Sequence, residues 1–216
     1  YVPDQAVEQI LSQQVFRHHM IVVRSKGLSA SEKPFVQGAG LLAAASANAL
    51  KRKWLGRHFE RVVFYHPASQ PPVGKAWNDL PTRHVELTQQ NFRQALLATG
   101  SIPMVLRGVR NIVGAPQGIY RDGGVTDYHF DLDLSEQQGL VLYPHFQREV
   151  IPGWFDKKLK RRTTGLNWPN VVNIVPSQAF IDRLPFAKIP NRTDFANLDV
   201  QTRQAYWQTA ADAGYE

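Results

Sequence analysis

Asp122 closes a short run, Ile119-Tyr120-Arg121, and is followed at once by Gly123-Gly124-Val125. A carboxylate at a strand end, beside two residues without Cβ, can be aimed into a cleft with little side chain in the way. That position suits a general base, which must come within hydrogen-bond reach of the proton it removes. Asp-Gly is also a favoured hairpin turn, so the tripeptide alone permits a purely structural reading. A base of this kind would serve a serine nucleophile, yet no G-x-S-x-G occurs in the chain. The nearest string is Gly27-Leu28-Ser29-Ala30-Ser31, with serine in the fifth position. It reads as a polar loop after a strand with no helix starting at once, which makes Ser29 a poor nucleophile elbow.

Three further groups invite chemistry. Asp127, His129, Asp131 and Asp133 alternate, so in a strand they would share one face. Such a face could take a hard cation or, through His129, a transition metal, but Leu132 stands where a calcium loop requires glycine. A polar strand face accounts for the spacing equally, and no metal site is assigned. Gly38-Ala39-Gly40-Leu41-Leu42-Ala43 has the spacing of a dinucleotide loop. The preceding strand ends near Arg24, about a dozen residues too early for the tight strand-to-helix turn, so no cofactor is expected. Trp154 and Phe155 precede Lys157, Lys158, Lys160, Arg161 and Arg162. Aromatics beside cations suit an anionic membrane interface. The same residues could stack on single-stranded nucleic acid, or form a core aromatic pair before a solvated turn.

The elements that must position these residues are read from periodicity. Helices are expected over 1–17, 40–54, 89–99 and 200–213, with short helical pieces over 179–184. Thr88 is placed to cap the third. Strands are expected over 19–24, 61–65, 84–87, 119–121, 140–143 and 171–175. They are apolar along their length and alternate with helices, which argues for a layered α/β domain with a sheet buried on both faces. Residues 67–81 hold four prolines and read as a loop.

At 216 residues the chain suffices for one large domain, drawn here as 1–145 with an irregular and helical extension over 146–216. It can bury roughly 70% of its unfolded surface without a metal or disulfide staple. The absence of cysteine excludes disulfides and thiolate catalysis. The net charge of +7 favours anionic partners in general.

Residues 92–132 resemble the patatin-like phospholipase family. Its Ala-Ser-x-Ala-x-Pro segment is matched at Ala98, Ile102 and Pro103, and departs at Thr99, Gly100 and Ser101. Its Asp-Gly-Gly strand end is matched at Asp122, Gly123, Gly124 and Val125, while Tyr128 and Phe130 stand near where the family has Asn and Pro. The resemblance implies a three-layer α/β/α fold and a Ser–Asp dyad hydrolysing a lipid or other carboxylic ester, without a cofactor. Asp122 would be the base, supported by Gly123 and Gly124. The family's nucleophile elbow and glycine-rich loop lie N-terminal to these motifs. The chain is therefore expected to be the C-terminal part of a longer enzyme, incomplete as a fold and inactive by itself. It is expected to bind the missing segment, or to self-associate through an exposed sheet edge. A location in the cytoplasm or at a membrane periphery follows, with no specific nucleic-acid partner. The alternative from another class is a non-catalytic binding module whose basic surface meets anionic lipid or nucleic acid.

Overall fold

The structure, a computed structural model, describes residues 2–69, 75–130, 139–159 and 169–215. Asp131, Asp133, Lys160, Arg161 and Arg162 lie outside these residues. Two compact units are present: Tyr1–Glu136 with Val150–Gly165, and Gln137–Glu149 with Leu166–Glu216. The boundary drawn from sequence at 145/146 falls inside the first segment of the second unit.

The first unit is built on a mixed five-stranded sheet of β1 (Met20–Ser25), β2 (Phe59–Tyr65), β3 (Thr82–Glu86), β4 (Val109–Arg110) and β5 (Ile119–Asp122), in the order β3-β2-β1-β5-β4. Only β2 and β3 run parallel; β1 is antiparallel to both β2 and β5, and β4 to β5. The apolar runs 20–23 of β1 and 62–65 of β2 reflect central position and burial on both faces, which a mixed sheet supplies as well as a parallel one.

Adjacent residues of β1 enter different cores, as the alternation of a strand requires. Val22 packs with Val7 of α1 (Asp4–Ser12) and with Phe92, Ala95 and Ala98 of α3 (Phe92–Thr99). Val23 packs with Leu41 and Ala44 of α2 (Pro34–Leu50), and with Leu55, Phe59, Leu80 and Val125.

Several boundaries differ from the sequence reading. α1 stops at Ser12, because nothing after Leu11 continues its buried side, and Phe16 is 80% exposed. α2 begins at Pro34 rather than Gly40: proline sits in the first turn, where its missing N–H costs nothing. Gly38 to Ala43 is thus helix interior, which removes the dinucleotide loop. A Cβ at Gly40 would lie 2.4 Å from the Ser29 nitrogen, so this glycine serves close packing. α3 begins at Phe92, behind a reciprocal cap in which Thr88 N–H donates to Asn91 Oδ1 at 2.8 Å and Asn91 N–H to Thr88 Oγ1 at 3.3 Å.

In the second unit β6 (Val141–Pro144) and β7 (Val171–Ile174) pair in parallel. They accompany α4 (Gln178–Arg183), α5 (Asp194–Asn197) and α6 (Val200–Ala213). Asp194 ties its helices together, accepting from Trp207 Nε1 at 3.0 Å and from the Lys188 ammonium.

Candidate active site

Asp122 terminates β5 where that strand pairs with Val22 of β1. Its backbone N–H donates to the Ser101 carbonyl at 3.2 Å. The two segments of the sequence resemblance are therefore joined by a main-chain bond. Its carboxylate caps the tight turn Gly123–Val125, accepting from the Gly124 N–H at 2.8 Å. The turn is not a hairpin tip, because the chain dives under β1. A Cβ on Gly123 would lie 2.3 Å from the Ile21 carbonyl oxygen, so only glycine fits between the turn and the central strand. Thr99 Oγ1 donates to that same carbonyl at 3.1 Å. Asp122 itself is half-buried. Burial pushes its carboxyl above the usual carboxylate range, against the opposing pull of the Gly124 N–H and the Lys157 charge. Lys157 Nζ lies 3.8 Å from the centre of the Tyr128 ring, close by the same turn.

Behind the turn lies a network that the sequence reading did not find. Arg61, wholly buried in β2, grips Asp127 with two hydrogen bonds of 2.7 and 2.6 Å. It also donates to Asp79 and to Thr82 Oγ1 at 3.2 Å and stacks on Trp77 at 4.5 Å. Arg52 donates to Asp79 at 2.8 Å, to Asp156 at 3.0 Å and to the Thr126 carbonyl at 2.7 Å. Asn48 Nδ2 donates to Asp156 at 2.7 Å, and Thr126 Oγ1 to Asp127 at 2.8 Å. Burial works against the Arg61 charge, but its bonds to Asp127 and the charges of Asp127 and Asp79 outweigh it and hold that pKa above its ordinary value. A signal was available: Arg61 is a lone cation inside an apolar strand, and a buried charge needs a partner. Arg52, between two exposed lysines, carries no such mark in the sequence.

The remaining candidates resolve as follows. Ser29 is buried, and its hydroxyl lies 2.7 Å from the Lys26 carbonyl and 3.1 Å from the His58 carbonyl, so it is a packing residue and no nucleophile. Ser101 is likewise buried and donates to the Leu97 carbonyl at 2.8 Å, closing α3. Asp127 and His129 do not share a strand face; Asp127 serves Arg61, and His129 Nδ1 accepts the Ile151 N–H at 2.7 Å. Among the described residues no group of three or more His, Asp or Glu is placed to hold a metal. Trp154 and Phe155 are half-buried and pack against the core of Val23, Leu41 and Phe59, so they are not free membrane anchors. Lys158 is exposed. No helix of the described residues is long and apolar enough to cross a membrane. Comparison with protein-family models, with characterised proteins and with solved structures gave no match.

Proposed function

We propose that the chain supplies the general base, Asp122, of a patatin-like serine acyl hydrolase with a three-layer α/β/α domain, and that the nucleophilic serine comes from a segment N-terminal to it. The observation that carries this reading is the setting of Asp122. It is a half-buried carboxylate at a strand end, held at one oxygen by a backbone N–H and raised toward proton acceptance by burial. In the reaction the serine hydroxyl would attack the ester carbonyl as Asp122 takes its proton, the tetrahedral intermediate would collapse as Asp122 returns that proton to the departing alcohol, and water would then hydrolyse the acyl-serine left behind. Gly123 lets the turn lie against β1, and Gly124 orients the carboxylate.

The test is activity toward short acyl esters, measured on this chain and on a longer protein carrying an upstream G-x-S-x-G segment. The 216-residue chain should be inert. The longer protein should turn over, and Asp122→Asn should cost it about 10²- to 10⁴-fold. Robust turnover by the shorter chain, or full activity of Asp122→Asn, would overturn the proposal. Inactivity of both proteins, with salt-dependent binding of nucleic acid, would favour a non-catalytic binding module.

A further inference from the structure

We infer that the outer side of α2, together with the Met104–Leu106 loop, docks on an anionic phospholipid bilayer. α2 carries no charged residue in 17. Its core side is Gln37, Gly40, Leu41, Ala44 and Asn48. The opposite side presents Phe35, Ala39, Leu42, Ser46 and Leu50 to solvent, with Phe35 at 95% exposure. A helix on a water-facing surface ordinarily turns charged and polar residues outward.

A second exposed apolar segment, the Met104–Leu106 loop, is tied to the N-terminal half of α2 through Gln37. Met104 N–H donates to Gln37 Oε1 of α2 at 2.9 Å. The Leu106 carbonyl accepts from Arg121 at 2.8 Å, and Arg121 also binds Glu32, just before the helix, at 2.6 Å. Met104, Val105 and Leu106 are all exposed, and Met104 is held at φ 67°, a conformation costly for any residue but glycine. Leu28, 56% exposed, adds to the patch from the turn packed under Gly40.

Charge identifies the occupant. Lys33 stands at the N-cap of α2 with no acidic residue in the first turn, so the positive end of the helix dipole is uncompensated. Lys51 and Lys53 follow the last turn and Arg107 follows the loop, all exposed. Glu32 is the one acidic residue of segments 26–57 and 99–121, and its carboxylate is engaged by Arg121. A second copy on this face would crowd like charges together. A bilayer with anionic headgroups offers apolar depth for the stripe and negative charge for its rim. At 17 residues α2 would span about 25 Å of the interface, lying flat.

The test is co-sedimentation of the 216-residue chain with phosphatidylserine-containing and with pure phosphatidylcholine vesicles over a salt series. Binding should need the anionic lipid and weaken as salt rises. Phe35→Asp with Val105→Asp should abolish it with the thermal melt unchanged. Replacing Lys33, Lys51, Lys53 and Arg107 with Gln should weaken it by about fivefold per charge. Lys157→Gln with Lys158→Gln should leave it intact, and so should Asp122→Asn, which separates this surface from the catalytic reading. The inference is overturned if the wild-type chain ignores anionic vesicles or if the Phe35→Asp, Val105→Asp variant binds as well. A dimer dissolved by Phe35→Asp in the absence of vesicle binding would assign the face to a second copy. Loss of binding once an upstream segment is present would make it an internal protein contact.

Discussion

Asp122 is held in a setting that disfavours its ionised form. Its folded-state pKa lies above the ordinary value, so folding favours the protonated acid. The stability it contributes is present below the unfolded value and is lost as pH rises through the folded one. At neutral pH the ionised carboxylate is a cost, and Asp122→Asn should raise the denaturation midpoint there. The difference should close as pH falls through the carboxylate range. Thermal melts of both proteins across pH check this; a gap constant with pH would refute it. Gly123→Ala tests the turn itself. The added methyl meets the Ile21 carbonyl at 2.3 Å, so main chain must move, and urea denaturation should show a loss of about 1–3 kcal/mol. The Asp-Gly-Gly sequence made the strand end and turn legible, because few residue types tolerate such an approach. It could not show that the glycine packs under β1, which depends on a contact with a residue about a hundred positions earlier.

At the level of elements, β2 and the turn after β5 are joined through buried charge. Removing one side of the Arg61–Asp127 pair strands an ion in the core. Arg61→Met and Asp127→Asn should each cost about 3–5 kcal/mol in urea unfolding. Arg61→Lys should rescue little, since an ammonium cannot reproduce the two-pronged bond. The double variant Arg61→Met, Asp127→Leu should recover much of the loss, because no ion is left unpaired. Retention of full stability in either single variant would contradict the geometry. All the described strands but the two-residue β4, and most helices, were legible because burial imprints periodicity on each element separately. α6 matches its expected 200–213 range, with Asp199 capping its start. Strand direction was not legible, because central antiparallel strands covered on both faces read like parallel ones. The start of α2 was not legible at Gly40, because the helix opens six residues earlier on Pro34, a residue that also stops helices. Aromatic–basic adjacency carries no sign of inside or outside, so the sequence left Trp154 and Phe155 open between an anionic surface, nucleic acid and a core pair, and they pack as the last.

Across the whole molecule, burial is uneven. Of the buried apolar residues described, only Leu184 and Tyr206 belong to the second unit; the rest, from Val7 to Val150, belong to the first. Local opening free energy follows buried contact, so amide exchange should be slowest in β1 and β2 and much faster in β6 and β7. Hydrogen-exchange mass spectrometry resolves these segments, and equal protection would refute the expectation.

The reach of Arg52 also governs when the fold can close. Asp156 lies 104 residues after Arg52, and Asp127 lies 66 after Arg61. As the chain is synthesised, Arg61 of β2 meets Asp79 18 residues later but its two-pronged partner Asp127 only 66 residues later, so burying that strand early is penalised. The central sheet must wait for the turn after β5, and that turn for the segment around Asp156. Assembly is thereby deferred until the segment around Asp156 has been made, with the apolar runs of β1 and β2 uncovered meanwhile and open to chaperones. Released chains truncated near residue 145 should remain protease-sensitive in β2, and released chains ending past residue 160 should become resistant together in β2 and the Asp122 turn.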